Sequence, residues 1–337
     1  MAAAPHGTSV VVPTYNRQAQ LLRLLTALGA QVGIDGFEVV VADDASSDDT
    51  AARARALIDT VPYDLVVVSL AVNSGAGAAR NVGWRAARGE RIAFIDDDCV
   101  PTPEWLARMV EGLADADADV AVGRTRPPDG QLGEIGPFSS YLDIGHDGSF
   151  STCNIAYRRR VLDAVGGFDD TTFTLRWRGR RTPPNAEDTD LGLRSRRAGF
   201  GDVFVADALV WHDVRPSDFR AHLRTIASFE ALIALVARHP QARREVLHAG
   251  WFLRSVDKAV LCCWAAAGVV ALQPRRRRSW AVAAGAGGLY VWQFGRSHYR
   301  PRSSREWATS VPLGFVADNW ALFVMVRGSW RRRTLLL

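Results

Sequence analysis

Three consecutive carboxylates, Asp96, Asp97 and Asp98, stop the apolar run Ile92 to Ile95 and are followed by Cys99-Val100-Pro101. Strand burial alone disfavours such a cluster. Carboxylates at the carboxyl end of a strand face the crevice where open α/β sheets bind ligands, and hard oxygen donors suit Mg²⁺ or Mn²⁺ carrying a phosphate. In an extended segment side chains two apart share a face, which makes Asp96 and Asp98 the candidate ligands and turns Asp97 elsewhere. Taken alone, the run is equally a solvated acidic turn. A second acidic group, Glu187-Asp188-Thr189-Asp190, stands just ahead of the helix-like stretch Leu191 to Ala198. A carboxylate there can act as general base toward a hydroxyl, or simply favour a helix N-terminus.

The segments that must position these groups alternate. Val10 to Val12 reads as a buried strand, ends in the turn Pro13 to Arg17 and leads into a helix over Gln18 to Leu28. A second strand, Phe37 to Ala42, ends in Asp43-Asp44 and precedes the helix-compatible Ala51 to Ile58. A third, Tyr63 to Leu70, is followed by Gly75 to Gly83 and a helix to about Arg88. This alternation predicts βαβ units, an α/β fold with a mostly parallel sheet and ligand residues in the loops after the strands. Asp44 is placed to accept hydrogen bonds from a base edge, with Pro13 to Arg17 walling off the same base. Asp48 and Asp49 read as helix-start acids. The stretch Gly75 to Arg80 is part of a dinucleotide fingerprint, and Asp96 lies roughly the twenty positions on that NAD binding requires. That fingerprint belongs to the first βα turn, which here carries proline and tyrosine without glycine, so an NAD site is set aside.

Six motifs then occur in order: Pro13 to Arg17, Asp43 to Ser46, Gly75 to Gly83, Asp96 to Asp98, Asn154 to Arg159 with Gly166-Gly167-Phe168-Asp169, and Glu187 to Leu191. Across residues 8–212 the chain resembles the family 2 glycosyltransferases. The resemblance implies a GT-A nucleotide-sugar-binding domain over residues 8–214 and inverting sugar transfer from a nucleoside diphosphate donor, UDP-linked. It places a uracil ring beside Tyr15, in a donor site that includes Pro13, Arg17 and Asp44. Gly75 would allow close backbone approach, and Arg80 would touch the diphosphate. Among the metal ligands it favours Asp98, with Asp96 nearer the ribose or the ion's water shell. It adds His212, delivered by the strand pieces Val203 to Val205 and Ala208 to Trp211, as third ligand to Mn²⁺ or Mg²⁺. Asn154 would lie near the donor sugar, Asp188 would be the base, and Glu187 would orient the acceptor. The basic loop Arg176 to Pro184 reads as a lid over an anionic donor or a grip on an anionic acceptor. The expected acceptor is lipid-linked or a cell-envelope glycan. Two alternatives are a polyprenyl-phosphate sugar transferase of the same fold and a catalytically silent nucleotide-sugar-binding scaffold, the latter disfavoured by the intact Asp96, Asp98 and Asp188.

Composition bounds the rest. A chain of 337 residues with 48% hydrophobic content can bury a large core, with room for one catalytic domain and a helical region over residues 215–337. Cys99, Cys153, Cys262 and Cys263 show no metal spacing and read as reduced thiols. The net charge is +5, and arginines gather at Arg275 to Arg278, from Arg296 to Arg305 and at Arg331 to Arg333. That is a membrane-surface pattern, and the aromatic-basic motifs of nucleic-acid binders are missing. The first strand begins almost at once, so the catalytic domain is expected in the cytosol, at the cytoplasmic face of the cell membrane. Asp218 to Arg238 reads as one amphipathic helix stopped by His239-Pro240, and Ala242 to Gln273 as largely helical. The apolar runs Ala259 to Leu272 and Trp280 to Phe294 fall short of the roughly twenty residues that span a bilayer. A shallow or re-entrant membrane-associated hairpin is expected, with Trp251, Trp264, Trp280, Trp292, Trp307 and Trp320 at interface depth; a soluble helical cap is the alternative.

Overall fold

The computed structural model describes residues 7–115, 117–145, 150–173, 176–177, 180–181, 186–246, 255–296 and 301–334. It divides into two units, Met1–Leu132 with Tyr141–Thr174 and Pro184–Val214, and Gly133–Ser140 with Leu175–Pro183 and Arg215–Leu337.

The first unit opens with β1 (Thr8–Thr14), α1 (Gln18–Leu28), β2 (Glu38–Asp43), α2 (Thr50–Arg55), β3 (Asp64–Ser69), α3 (Ala76–Ala86) and β4 (Arg91–Phe94). After these come β5 (Cys99–Pro101), α4 (Trp105–Gly112), β6 (Val120–Arg126), β7 (Ile155–Arg158) and α5 (Arg159–Val165). The two-residue strands β8 (Arg176–Trp177) and β9 (Arg180–Arg181), which pair antiparallel, belong to the second unit. The first unit closes with α6 (Glu187–Arg197) and β10 (Asp202–His212).

Eight strands form one sheet in the order β3-β2-β1-β4-β7-β6-β10-β5. The pairs among β3, β2, β1 and β4 are parallel, as is β6 with β10, so the sheet is mostly parallel; β7 and β5 run against their neighbours. Val10 to Val12 and Val39 to Val41 are fully buried, the continuous apolar run of strands covered on both faces. In α1 the positions Leu21, Leu24, Leu25 and Leu28 follow helical spacing, and all four are fully buried. Each such burial contributes roughly 1.5–3 kcal/mol. Helix α3 lies so close to β1 that a Cβ on Gly83 would come within 2.5 Å of Val11 Cγ1. The strand pieces expected at Val203 to Val205 and Ala208 to Trp211 are one strand, whose pairing with β6 shifts between Val205 and Leu209. That β-bulge breaks the alternation that a sequence pattern relies on.

In the second unit, α7 (Phe219–Ile226) is capped by Asp218, whose Oδ1 accepts from Ala221 N at 2.6 Å. A 3₁₀ turn, Ala227–Phe229, separates it from α8 (Glu230–Arg238), so the single helix expected over Asp218 to Arg238 is two. Helix α8 does stop at His239, where Pro240 follows. Then come α9 (Arg243–Val246), α10 (Ser255–Leu272), α11 (Arg277–Phe294) and α12 (Ser304–Arg332). Among the described residues α12 is the one helix long and apolar enough to cross a membrane by length and composition. The apolar runs noted in the sequence are α10 and α11, of 18 residues each, and α12 went unnoticed because Asp318 and Pro312 interrupt its apolar pattern. Tyr290 donates to buried Asp318 at 2.8 Å, tying α11 to α12. Trp251 and residues 178–179 and 182–184 of the basic loop lie outside the described residues.

Candidate active site

The site is assembled from the loops at the carboxyl ends of β1, β2, β3 and β4. Behind β1, Tyr15 is 43% exposed, and Asn16 adopts a left-handed backbone (φ 52). The Asn16 side-chain Oδ1 accepts from Ser47 N at 2.8 Å and the Asn16 backbone N–H donates to Ser46 Oγ at 2.9 Å, which stitches the β1 and β2 loops together. Asp48 accepts from Thr50 N at 3.0 Å and behaves as the helix-start acid its position implied. Asp44 is buried, and its two carboxylate oxygens accept from Ser74 N (2.6 Å) and Gly75 N (2.7 Å). The carboxylate expected at a base edge therefore holds the glycine-bearing loop that starts α3. Pro13 is paired within the sheet, opposite Ala42.

Asp96, Asp97 and Asp98 form a turn between β4 and β5, closed by Cys99 N donating to Asp96 O at 3.1 Å. Because the segment turns, the alternation of an extended strand does not apply, and Asp97 and Asp98 share one cation. Arg17 Nη1 donates to Asp97 at 3.0 Å and to Asp98 at 2.8 Å, and Thr14 Oγ1 donates to Asp97 at 2.8 Å. Burial raises the Asp97 pKa, and Arg17 and Thr14 work against the rise.

Strand β5 runs antiparallel to β10 with Cys99 opposite His212, and this register carries His212 to the acidic turn. His212 Nε2 lies 3.5 Å from Asp98 Oδ1. His212 Nδ1 is 3.0 Å from the carbonyl of Asp213. A carbonyl can only accept, so Nδ1 carries the proton and Nε2 presents its lone pair toward Asp98. Burial lowers the His212 pKa, which keeps the imidazole neutral and able to bind a metal. The separation of 3.5 Å is about half an ångström wider than the roughly 3.0 Å between neighbouring ligands of an octahedral ion with bonds of about 2.1 Å. Cys99 Sγ lies within 4.8 Å of both, but burial raises its thiol pKa, and a protonated thiol in the core is a poor ligand for a hard ion. Asp98 and His212 thus fit a divalent cation.

Asp96 is held by Arg80 Nη2 at 2.7 Å, and Nη1 of the same guanidinium reaches Glu187 at 3.2 Å. Arg80 is 4% exposed. Burial opposes its charge, yet the carboxylates of Asp96 and Glu187 outweigh burial and raise its pKa. Glu187, Asp188 and Asp190 form the first turn of α6 rather than preceding it. Asp190 is fully buried and bound to Arg194 at 2.7 Å, while Arg194 also donates to the carbonyls of Val165 and Gly167. Asp188 is half-buried, and its carboxyl is pushed up to about 7, first by desolvation and next by Glu187. Of the three acids, only Asp188 combines partial exposure with a titration near neutrality, which is what a general base needs.

Two residues matter that the sequence did not single out. Asn81, one position past Arg80, donates to Phe168 O (2.8 Å) and accepts from Phe168 N (3.0 Å), clamping the Gly166-Gly167-Phe168 loop on α3. Gly167 has φ 76, and a Cβ there would sit 2.5 Å from Asn81 Oδ1, which accounts for the glycine. Arg23 pairs with Asp213 beside His212. Asn154 is 1% exposed; it donates to the carbonyls of Arg124 and Ala208 (both 2.8 Å) and accepts from Trp105 Nε1 (2.7 Å), a scaffolding role.

This fold and this arrangement define an α/β protein of the GT-A type. The glycosyl transferase family 2 model matches residues 9–179, about half of the chain, and the chain belongs to that family. It is 28% identical over 219 residues to glycosyltransferase AglE of Haloferax volcanii, covering 62% of this chain and 67% of that one. It is 27% identical over 272 residues to a pre-mycofactocin glycosyltransferase of Mycobacterium tuberculosis, covering 74% and 52%. The chain thus spans about half to two thirds of the length of these relatives. Its fold is similar to that of the mannosyltransferase PcManGT of Pyrobaculum calidifontis in complex with GDP-Man and Mn²⁺ (TM-score 0.61, 19% identity, 98% of this chain and 88% of that one). It is also similar to TarS of S. aureus in complex with UDP-GlcNAc (TM-score 0.52, 20% identity, 97% and 92%).

Proposed function

We propose that the chain transfers a glycosyl group, with inversion, from a nucleoside diphosphate sugar, UDP-linked, to a hydroxyl of a lipid-linked or cell-envelope glycan acceptor, with Mn²⁺ or Mg²⁺ as cofactor. The observation that carries the proposal is the Arg80 junction, one buried guanidinium joining Asp96 in the acidic turn to Glu187 beside Asp188. It ties the acidic turn, which we read as the donor side, to the first turn of α6, which we read as the acceptor side. Neighbours in complex with GDP-Man and Mn²⁺ and with UDP-GlcNAc support a nucleoside diphosphate donor.

Asp98 and His212 would hold the cation. When bound, the ion supplies Lewis-acid stabilisation of the charge on the departing diphosphate. Tyr15 and Pro13 wall the base, Arg17 fixes the acidic turn, and Asp44 positions the backbone N–H groups of Ser74 and Gly75. Asp188 takes the proton of the acceptor hydroxyl as its oxygen attacks the anomeric carbon from the face opposite the leaving group. One base suffices for a single displacement with inversion. Glu187, oriented by Arg80, holds the acceptor in place.

A panel of UDP- and GDP-sugars is screened by thermal shift with and without Mn²⁺, since a ligand that binds only the native state raises its stability. One UDP-sugar should raise the melting temperature only with Mn²⁺ and yield a product of inverted anomeric configuration. No shift with any donor would overturn the proposal, and a shift with GDP-sugars alone would overturn the choice of base.

A further inference from the structure

We infer that the α10–α11 hairpin is a docking surface for an anionic lipid bilayer, lying in the headgroup interface with its arginine turn against the lipid phosphates. This inference concerns adsorption and does not depend on the transfer chemistry. One stripe of α11, Ser279, Tyr290 and Phe294 with half-buried Ala283 and Gly287 between them, faces inward. Of these, Tyr290 and Phe294 pack in a cluster with Val256, Ala259 and Val260 of α10 and with Trp307, Val311 and Phe315 of α12. Large apolar side chains of the hairpin are open to solvent: Trp264 is 59% exposed, Leu272 84%, Trp280 59% and Trp292 57%. Large apolar side chains exposed in this number mark an interaction surface.

Charge decides what covers it. From Lys258 to Arg305 the chain has no Asp or Glu but eight arginines, and Arg275 to Arg278, at the turn between the two helices, are all exposed. A second copy of the same surface would set these arginines against one another. A polyanionic surface with an apolar layer beneath it satisfies both the arginines and the tryptophans, whose rings favour the headgroup level. Each helix has 18 residues, about 27 Å at 1.5 Å per residue and short of the roughly 30 Å hydrocarbon core. Spanning would also carry four arginines through the bilayer, so the hairpin lies along the surface.

The test is co-sedimentation of the full chain with vesicles of equal parts phosphatidylcholine and phosphatidylglycerol, and with phosphatidylcholine alone. The anionic vesicles should bind the protein and the neutral ones should not, and raising the salt should release it. Replacing all four arginines (R275Q, R276Q, R277Q, R278Q) should weaken partitioning by about 100-fold or more, because each basic group near such a surface contributes about fivefold. The arginines are exposed, so the variant should keep the far-ultraviolet dichroism of the wild type; if it does not fold, the salt dependence of the wild type decides. Binding that ignores lipid charge, binding unchanged in the variant or in high salt, or a lipid-free dimer that buries the tryptophans would each overturn the inference.

Discussion

The two units use arginine in opposite ways. In the first, Arg80 is buried between Asp96 and Glu187, Arg194 is spread over Asp190 and two carbonyls, and Arg88 neutralises the fully buried Glu38. In the second, Arg275 to Arg278 stand exposed in a stretch without acids, next to exposed tryptophans. The location of counter-charge, not the residue type, decides whether a guanidinium becomes an interior fixture or a source of surface field. A buried arginine is tolerated only with its partners in place, whereas an exposed cluster costs little and acts at a distance.

The largest expected effect falls on turnover. Asp188→Asn should lower kcat by about 10²–10⁴, the usual contribution of a general base, with donor affinity retained in titration calorimetry. Near-normal turnover would move the base elsewhere. Next in size is stability: Arg80→Met leaves Asp96 and Glu187 without their shared cation and should cost about 3–5 kcal/mol in denaturant unfolding. Arg275→Met, at an exposed position, should stay within about 0.5 kcal/mol. Equal costs would break the comparison between the units.

Asp98→Asn should remove the Mn²⁺ dependence of donor binding while the dichroism spectrum is preserved, and His212→Ala should weaken that dependence less. Donor titration with and without Mn²⁺ measures both, and unchanged affinity in Asp98→Asn would take Asp98 out of the metal site. A further effect is a pH slope. Folding raises the Asp188 pKa from 3.8 to about 7. An acid raised in this way contributes stability that is fully present below about pH 4 and is lost as the pH climbs through about 7. Asp188→Asn has no charge to bury, so its melting temperature relative to wild type should be higher at about pH 8 than at about pH 4. A constant offset across that range would show that the carboxyl is not buried with a raised pKa.

Much of the first unit is legible in its residues. The leucine spacing of α1 gives the bounds Gln18–Leu28 found in the structure, and the valine runs of β1 and β2 announce a buried parallel sheet with acids at its carboxyl edge. These are local properties, because the period of burial is written in neighbouring side chains. What lay beyond the sequence was every contact between distant segments. The β5–β10 register brings His212 to Asp98, and Arg80 reaches Glu187 across 107 positions. Such pairings depend on how whole elements stack and register, a choice made by the packing of the entire core, and no window of adjacent residues contains it.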